Sequence, residues 1–153
     1  MSYHQSSRGI AAWKYFPWTN WANGRDNGQL KRVTYNKQRN NTILRVAFHS
    51  TLAMYNKERC SEWYITFSGK ECTQPDHIST SIMKHLDRDG WHGLPTQLSG
   101  FCNATSSYFP QGPVVISVHV RACPSSRAGD AHTGYWDWGE KVTSSLVVEE
   151  YCS

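Results

Sequence analysis

The chain has 153 residues, with seven Trp, eight Tyr and a net charge of +4 at pH 7. That length suits one domain able to bury a core of its own. With 39% hydrophobic and 18% charged residues it is not a disordered composition, and no apolar run reaches the ~18 residues of a membrane span.

Residues 1–17 read as an extended tail with aromatic anchors at Trp13, Tyr15 and Phe16, and residues 18–153 as the globular domain. The tail has no apolar core of signal-peptide length. Trp18 to Gln29 is loop-like, with Asn23-Gly24 and Asn27-Gly28 as turn signals. Strands then follow one another. Lys31, Val33 and Tyr35 alternate with Arg32, Thr34 and Asn36, and Leu44, Val46 and Phe48 alternate with Arg45, Ala47 and His49. This period of two is what a half-buried strand needs. Trp63, Ile65 and Phe67 repeat the pattern before the Ser68-Gly69 turn. Ile78 to Leu86 suits a strand or a short helix, and its Thr and Ile content favours strand. Arg88 to Gly93 reads as a turn. Val114, Ile116, Val118 and Val120 define another strand, Pro124 to Gly134 a loop, and Val142 to Val148 a last strand. Many short strands separated by Gly, Pro and Asn turns predict an antiparallel β-sandwich or barrel.

Five cysteines stand at 60, 72, 102, 123 and 152. None forms C-x-x-C, so zinc-ribbon and thioredoxin-like readings have no support. The favoured pairing is Cys60 with Cys72, across one strand and its turn, and Cys102 with Cys123. Connectivity stays open, and buried thiols that never meet are the alternative. The odd Cys152 would be a free thiol or an intermolecular link. Asn40-Asn41-Thr42 and Asn103-Ala104-Thr105 are N-glycosylation acceptors at Asn40 and Asn103. Cysteines and sequons together point to a secreted, oxidised protein.

Charge is uneven. Residues 1–60 hold ten Lys or Arg against two acidic residues, net +8, and residues 61–153 hold six against ten, net −4. Arg25, Lys31, Arg32, Lys37, Arg39 and Arg45 form a candidate polyanion-binding set, because guanidinium suits sulfate and phosphate. Trp91, Tyr135, Trp136 and Trp138 sit beside glycines in predicted loops and are candidates for stacking on sugars or anchoring an interface. End caps of the sandwich or a seam between subunits would use them equally well.

Catalytic and metal signals are weak. The seven histidines form no H-x-x-x-H, and there is no G-x-S-x-G and no P-loop. Asp87 and Asp89 flank a turn and Asp130 stands near His132, but neither pair completes a ligand set. The chain reads as a non-enzyme without cofactor or metal.

Several segments in order resemble the C-terminal domain of collagen triple helix repeat-containing proteins. They are NNTILRVAFHSTL (Asn40 to Leu52), RCSEWYITFSGKEC (Arg59 to Cys72), Cys102, Cys123, GDAHTGYW (Gly129 to Trp136) and SSLVVEE (Ser144 to Glu150). The resemblance implies a jelly roll like the heads of C1q and tumour necrosis factor, packed as a homotrimer. It also implies a secreted extracellular matrix protein acting in Wnt signalling through Frizzled receptors. The chain departs from the family in having no Gly-X-Y run. A cysteine pair frequent in the family near positions 18 and 33 is replaced by the neighbourhoods of Phe16-Pro17 and Val33.

The expected function is therefore a secreted trimerising and binding domain, possessing as partners its own copies and a matrix component, collagen, anionic glycan or receptor. Nucleic acid fits the charge but not the compartment. Two other readings stand beside it: a self-assembling matrix or biomineral-associated protein that uses Cys152 and the charge asymmetry, and a lectin-like module that uses the loop aromatics.

Overall fold

The computed structural model describes residues 9–55, 58–83, 92–104, 109–135 and 140–152. They form ten strands: β1 (Ile10–Trp18), β2 (Gly28–Lys37), β3 (Thr42–Tyr55), β4 (Cys60–Phe67), β5 (Lys70–Glu71), β6 (Ser79–Met83), β7 (His92–Ala104), β8 (Gly112–Ala122), β9 (Asp130–Thr133) and β10 (Ser144–Cys152). All pairings are antiparallel. One sheet has the order β1-β10-β3-β7, with β9 also on β3. The other has the order β2-β8-β4-β5, with β6 also on β4.

The two sheets form a β-sandwich around one core. Leu44, Val46, Phe48, Leu146 and Val148 come from the first sheet, and Trp63, Ile65, Phe67, Ile116, Val118 and Val120 from the second. These are the alternate positions expected from sequence, so the period of two correctly assigns the inward faces of β3, β4, β8 and β10. Trp63 is fully buried, and its indole N–H donates to Thr133 Oγ1 at 2.8 Å. That bond satisfies the one polar atom of the largest core side chain.

The described part of the tail is a strand. Residues 10–18 pair along β10, from Ile10 against Tyr151 to Trp18 against Ser144. Trp18 packs on the core beside Phe48, with ring centroids 6.5 Å apart. The loop predicted over 124–134 contains β9, which pairs Leu52–Tyr55 on the edge of β3 opposite β7, in line with β10. β7 was hidden by Pro95 and Gly100. Both are tolerated because β7 is an edge strand, and a Cβ on Gly100 would come within 2.9 Å of Ile78 Cγ1. The segment 78–86 is strand over Ser79–Met83; of the turn predicted at Arg88 to Gly93, residues 88–91 lie outside the described residues, and His92 and Gly93 open β7 instead.

The cysteine pairing differs from expectation. The bonds are Cys60–Cys123, with Cα atoms 5.4 Å apart, and Cys72–Cys102, at 5.9 Å. Geometry explains why. Cys60 opens β4 and Cys72 follows β5, which pairs with the opposite end of β4 at Thr66. Six strand residues separate those levels by roughly 20 Å, far beyond a disulfide's reach. Cys60 instead adjoins the end of β8, where Cys123 N–H donates to Cys60 O at 3.1 Å. Cys72 meets the inward-facing Cys102 of β7 and so ties the two sheets together. Cys152 is the remaining free thiol.

Candidate functional site

The outer face of the β1-β10-β3-β7 sheet is a grid of named rows. Register sets Phe101, Arg45, Glu149 and Trp13 side by side across β7, β3, β10 and β1. The next row is Ser99, Ala47, Val147 and Tyr15, and the one after is Gln97, His49, Ser145 and Pro17. On the other side lie Asn103, Ile43, Tyr151 and Ile10. These positions alternate with the core residues of the same strands, so they face away from the core.

The grid has a floor and walls. Ala47 is only 1% exposed although it faces outward, whereas Trp13 is 65%, Tyr15 50% and Phe101 49% exposed. Small side chains thus line a shallow trough between aromatic ones. It holds an internal ion pair: Arg45 Nη1 lies 3.0 Å from Glu149 Oε1. The Arg45 guanidinium sits 6.0 Å from the Phe101 ring centroid. Tyr151 donates its hydroxyl to Glu149 Oε1 at 3.2 Å and packs its ring 5.8 Å from that of Phe101. Burial and the Glu149 charge push the Tyr151 hydroxyl pKa up. Exposed aromatic side chains around small ones, with the Arg45 and Glu149 charges paired, are features that protein contact surfaces share.

The other sheet presents a polar outer face. Arg121 stands 3.8 Å over the Tyr64 ring centroid and contacts Glu62 Oε1 at 2.7 Å and both oxygens of Glu71 at 2.9 and 3.1 Å. The Glu71 bond is the main reason the guanidinium pKa is raised. Burial pushes Glu71 up, but Arg121 and His77, whose Nδ1 lies 3.0 Å from Glu71 Oε1, together outweigh it and leave the carboxyl below its usual value. Tyr64 also stacks on His119 at 4.9 Å, and His119 Nε2 bonds Thr66 Oγ1 at 2.9 Å. Burial lowers the His119 pKa, which favours the neutral ring. This ladder is satisfied within itself.

The predicted basic set is not brought together. Arg25, Arg32 and Arg39 are exposed. Lys31 lies over Trp18 and Trp21, 5.2 and 5.9 Å from their ring centroids. Lys37 is 1% exposed and donates to the carbonyls of Arg39 and Asn40, so it is no surface cation. Arg45 is on the other sheet and already paired. Sequence counted these charges but could not see which side of a strand each occupied.

Among the aromatic candidates, Tyr135 is half-buried, packs edge-on to His132 at 5.4 Å and bridges backbone to Lys141. Trp91, Trp136 and Trp138 lie outside the described residues, as do Asp87 and Asp89. His132 Nε2 stands 3.1 Å from Asp130 Oδ1, and no cluster of three metal-ligating side chains occurs among the described residues. Cys152 is half-buried, with Arg39 Nη1 3.4 Å from its Sγ. The sequence named Trp13 and Tyr15 only as anchors of a tail and passed over Phe101 and Tyr151, because the four meet through strands far apart in sequence. Alternation along residues 10–18 was the available signal.

Comparison with known proteins gives one strong match and several distant ones. The C-terminal domain of the EclA sugar-binding protein shares 16% identity at a TM-score of 0.39, over 80% of this chain and 74% of that one. Dimeric latent PorU from Porphyromonas gingivalis shares 9% at 0.41, over 94% of this chain and 14% of that one. A chain of the infectious bursal disease virus Gt strain shares 12% at 0.31, over 95% and 37%. The strong match is to a family profile, described as the CTHRC1 C-terminal domain, over residues 9–142. That span starts one residue before β1 and reaches past β9, so it takes in the grid strands β1, β3 and β7 and both disulfides. The chain therefore belongs to the family of CTHRC1 C-terminal domains.

Proposed function

We propose that this chain is a secreted, non-enzymatic assembly and binding domain, folded as a C1q-like jelly roll and associated as a homotrimer through the outer face of the β1-β10-β3-β7 sheet. The observation that carries the proposal is the grid itself: exposed Trp13, Tyr15 and Phe101 around a floor of Ser99, Ala47, Val147 and Ser145. A floor of small residues lets sheets approach closely, and the aromatic walls supply the buried area. The neutral Arg45–Glu149 pair leaves no net charge to repel a second copy. Extracellular matrix residence and action on Wnt signalling through Frizzled receptors belong to the same proposal, supported by family membership. Three copies of a weak receptor site would gain avidity from one head.

Native mass measurement at micromolar concentration tests the assembly. The wild type is expected as a trimer. Val147→Arg puts an unpaired charge on the floor, at a cost of about 3 kcal/mol per contact or more, and is expected as a folded monomer. A monomeric wild type, or a trimeric Val147→Arg, rejects the proposed face.

The two sequons are expected to behave differently. Asn40 is exposed between β2 and β3, and its Oδ1 accepts from Gln111 N–H at 2.8 Å. Asn103 lies in β7 beside Ile43, with its Oδ1 buried. Expression in a glycosylating host should attach one glycan, lost in Asn40→Gln and retained in Asn103→Gln. Intact mass before and after glycosidase treatment checks this.

A further inference from the structure

Arg59, Arg127, Ser125, Ser126 and Glu58 line a cleft of about 500 Å³. None belongs to the predicted basic set, and the cleft is on neither face described above. Its location follows from register. Ile10 pairs with Tyr151 and Cys152 with Thr42, so the chain enters and leaves the sandwich at one end. Tyr55 pairs with Asp130 and Ser61 with Ala122 at the opposite end, where the cleft opens. An assembly through the β1-β10-β3-β7 face leaves this end uncovered.

The walls of the cleft are held before any ligand arrives. The Cys60–Cys123 disulfide joins them. Cys60 N–H donates to Arg127 O at 2.9 Å, Ser126 N–H to Cys123 O at 3.1 Å, and Gly129 N–H to Ser61 Oγ at 3.1 Å. Glu58 and Ser125 have φ of 62° and 63°, a left-handed conformation that non-glycine residues seldom adopt. Arg59 spends one donor on a long 3.4 Å contact to Ala128 O. Among the described residues no carboxylate pairs with either guanidinium. Arg121, by contrast, is fully engaged by two glutamates. Two unpaired guanidinium groups and two hydroxyls on a pre-organised rim suit a tetrahedral oxyanion, which accepts forked N–H bonds and hydroxyl bonds together.

We infer that this cleft binds sulfate esters of an anionic polysaccharide. A chain with two disulfides is at home in an oxidising compartment, and there sulfate esters on glycans are the abundant form of this chemistry. The rim carries one opposing charge, Glu58, which keeps affinity for a single ion low and favours a ligand presenting several sulfates in sequence.

Titration of the isotope-labelled full chain with inorganic sulfate, a heparin-derived tetrasaccharide and a phosphoserine peptide separates the sources. The amides of Arg59 and Ser125 to Arg127 are expected to shift with sulfate and, at far lower concentration, with the tetrasaccharide. Arg59→Gln and Arg127→Gln should each weaken tetrasaccharide binding about tenfold. Glu58→Gln should strengthen it about threefold, a gain that no folding defect can mimic. Lys70→Gln, exposed on β5 at the other end of β4, should leave it unchanged. Undiminished binding in the Arg59→Gln/Arg127→Gln double variant, with an unaltered melting temperature, overturns the inference. So does tighter binding of the phosphoserine peptide than of the tetrasaccharide, which would assign the cleft to a phosphoprotein.

Discussion

Replacing Glu150 by alanine is expected to lower the unfolding free energy by about 3–5 kcal/mol, a large part of the roughly 5–15 kcal/mol that holds a domain. Glu150 is fully buried in β10, facing inward. Its Oε1 accepts from Tyr35 Oη at 2.9 Å and Gln38 N–H at 2.8 Å, and its Oε2 from Arg39 N–H at 2.9 Å and Thr42 Oγ1 at 2.8 Å. Buried Lys37 binds the carbonyls of Arg39 and Asn40. The β2–β3 loop therefore wraps its donors around a carboxylate and its acceptors around an ammonium. Alanine would leave Tyr35, Gln38 and Arg39 donors without that acceptor, Thr42 with only the longer 3.3 Å bond to Arg39 O, and Lys37 without a counter-charge. Burial pushes the Lys37 pKa down while the Glu150 charge pushes it back up, so the loss extends to both residues.

The same carboxylate sets an acid limit. Burial pushes the Glu150 pKa up, but the bonds from Gln38, Thr42, Tyr35 and Arg39 outweigh it and hold the group below its ordinary 4.5. A folded value below the unfolded one contributes stability that is complete above about pH 5 and is lost as pH falls through the folded value. Wild-type stability should therefore decline below about pH 5. Glu150→Gln should start lower and decline less steeply over that range. Denaturant midpoints measured from pH 3 to 7 check both; parallel curves would show that Glu150 does not carry the acid response.

What the sequence disclosed was governed by locality. Alternation of Trp63, Ile65 and Phe67, or of Val114 to Val120, lies within one strand and needs no partner to be read. β7 carries Pro95 and Gly100, which break the pattern, and its place depends on an edge position and on Ile78 across the core. The cysteines failed for the same reason. Cys60 and Cys72 are close in sequence and remote in space, because a strand carries the chain about 3.3 Å per residue. Basic residues could be counted but not assigned to faces, so buried Lys37 was grouped with exposed Arg32. The cleft of Arg59 and Arg127 joins two loops 68 residues apart, and no short-range pattern could connect them.

Reduction of both disulfides is expected to abolish cooperative folding at 37 °C. The linked cysteines are separated by 63 and 30 residues. Closing loops of those lengths removes chain entropy equivalent to about 4 kcal/mol each. Together the bonds rival the whole stability of a domain. They should not open together. Cys72 and Cys102 are each 1% exposed and join the two sheets through the core, whereas Cys123 is half-exposed at the rim of the distal cleft. Mild reductant should reach Cys60–Cys123 first and leave a folded intermediate, since the β4–β8 pairing persists without the staple. Cys72–Cys102 should resist until the sandwich itself opens. Timed alkylation with peptide mapping reads the order directly. Thermal melts of the Cys60→Ala/Cys123→Ala and Cys72→Ala/Cys102→Ala variants should each fall by about 10 °C. Simultaneous labelling of all four cysteines in protein that is still folded would contradict the sheet-to-sheet placement of Cys72–Cys102.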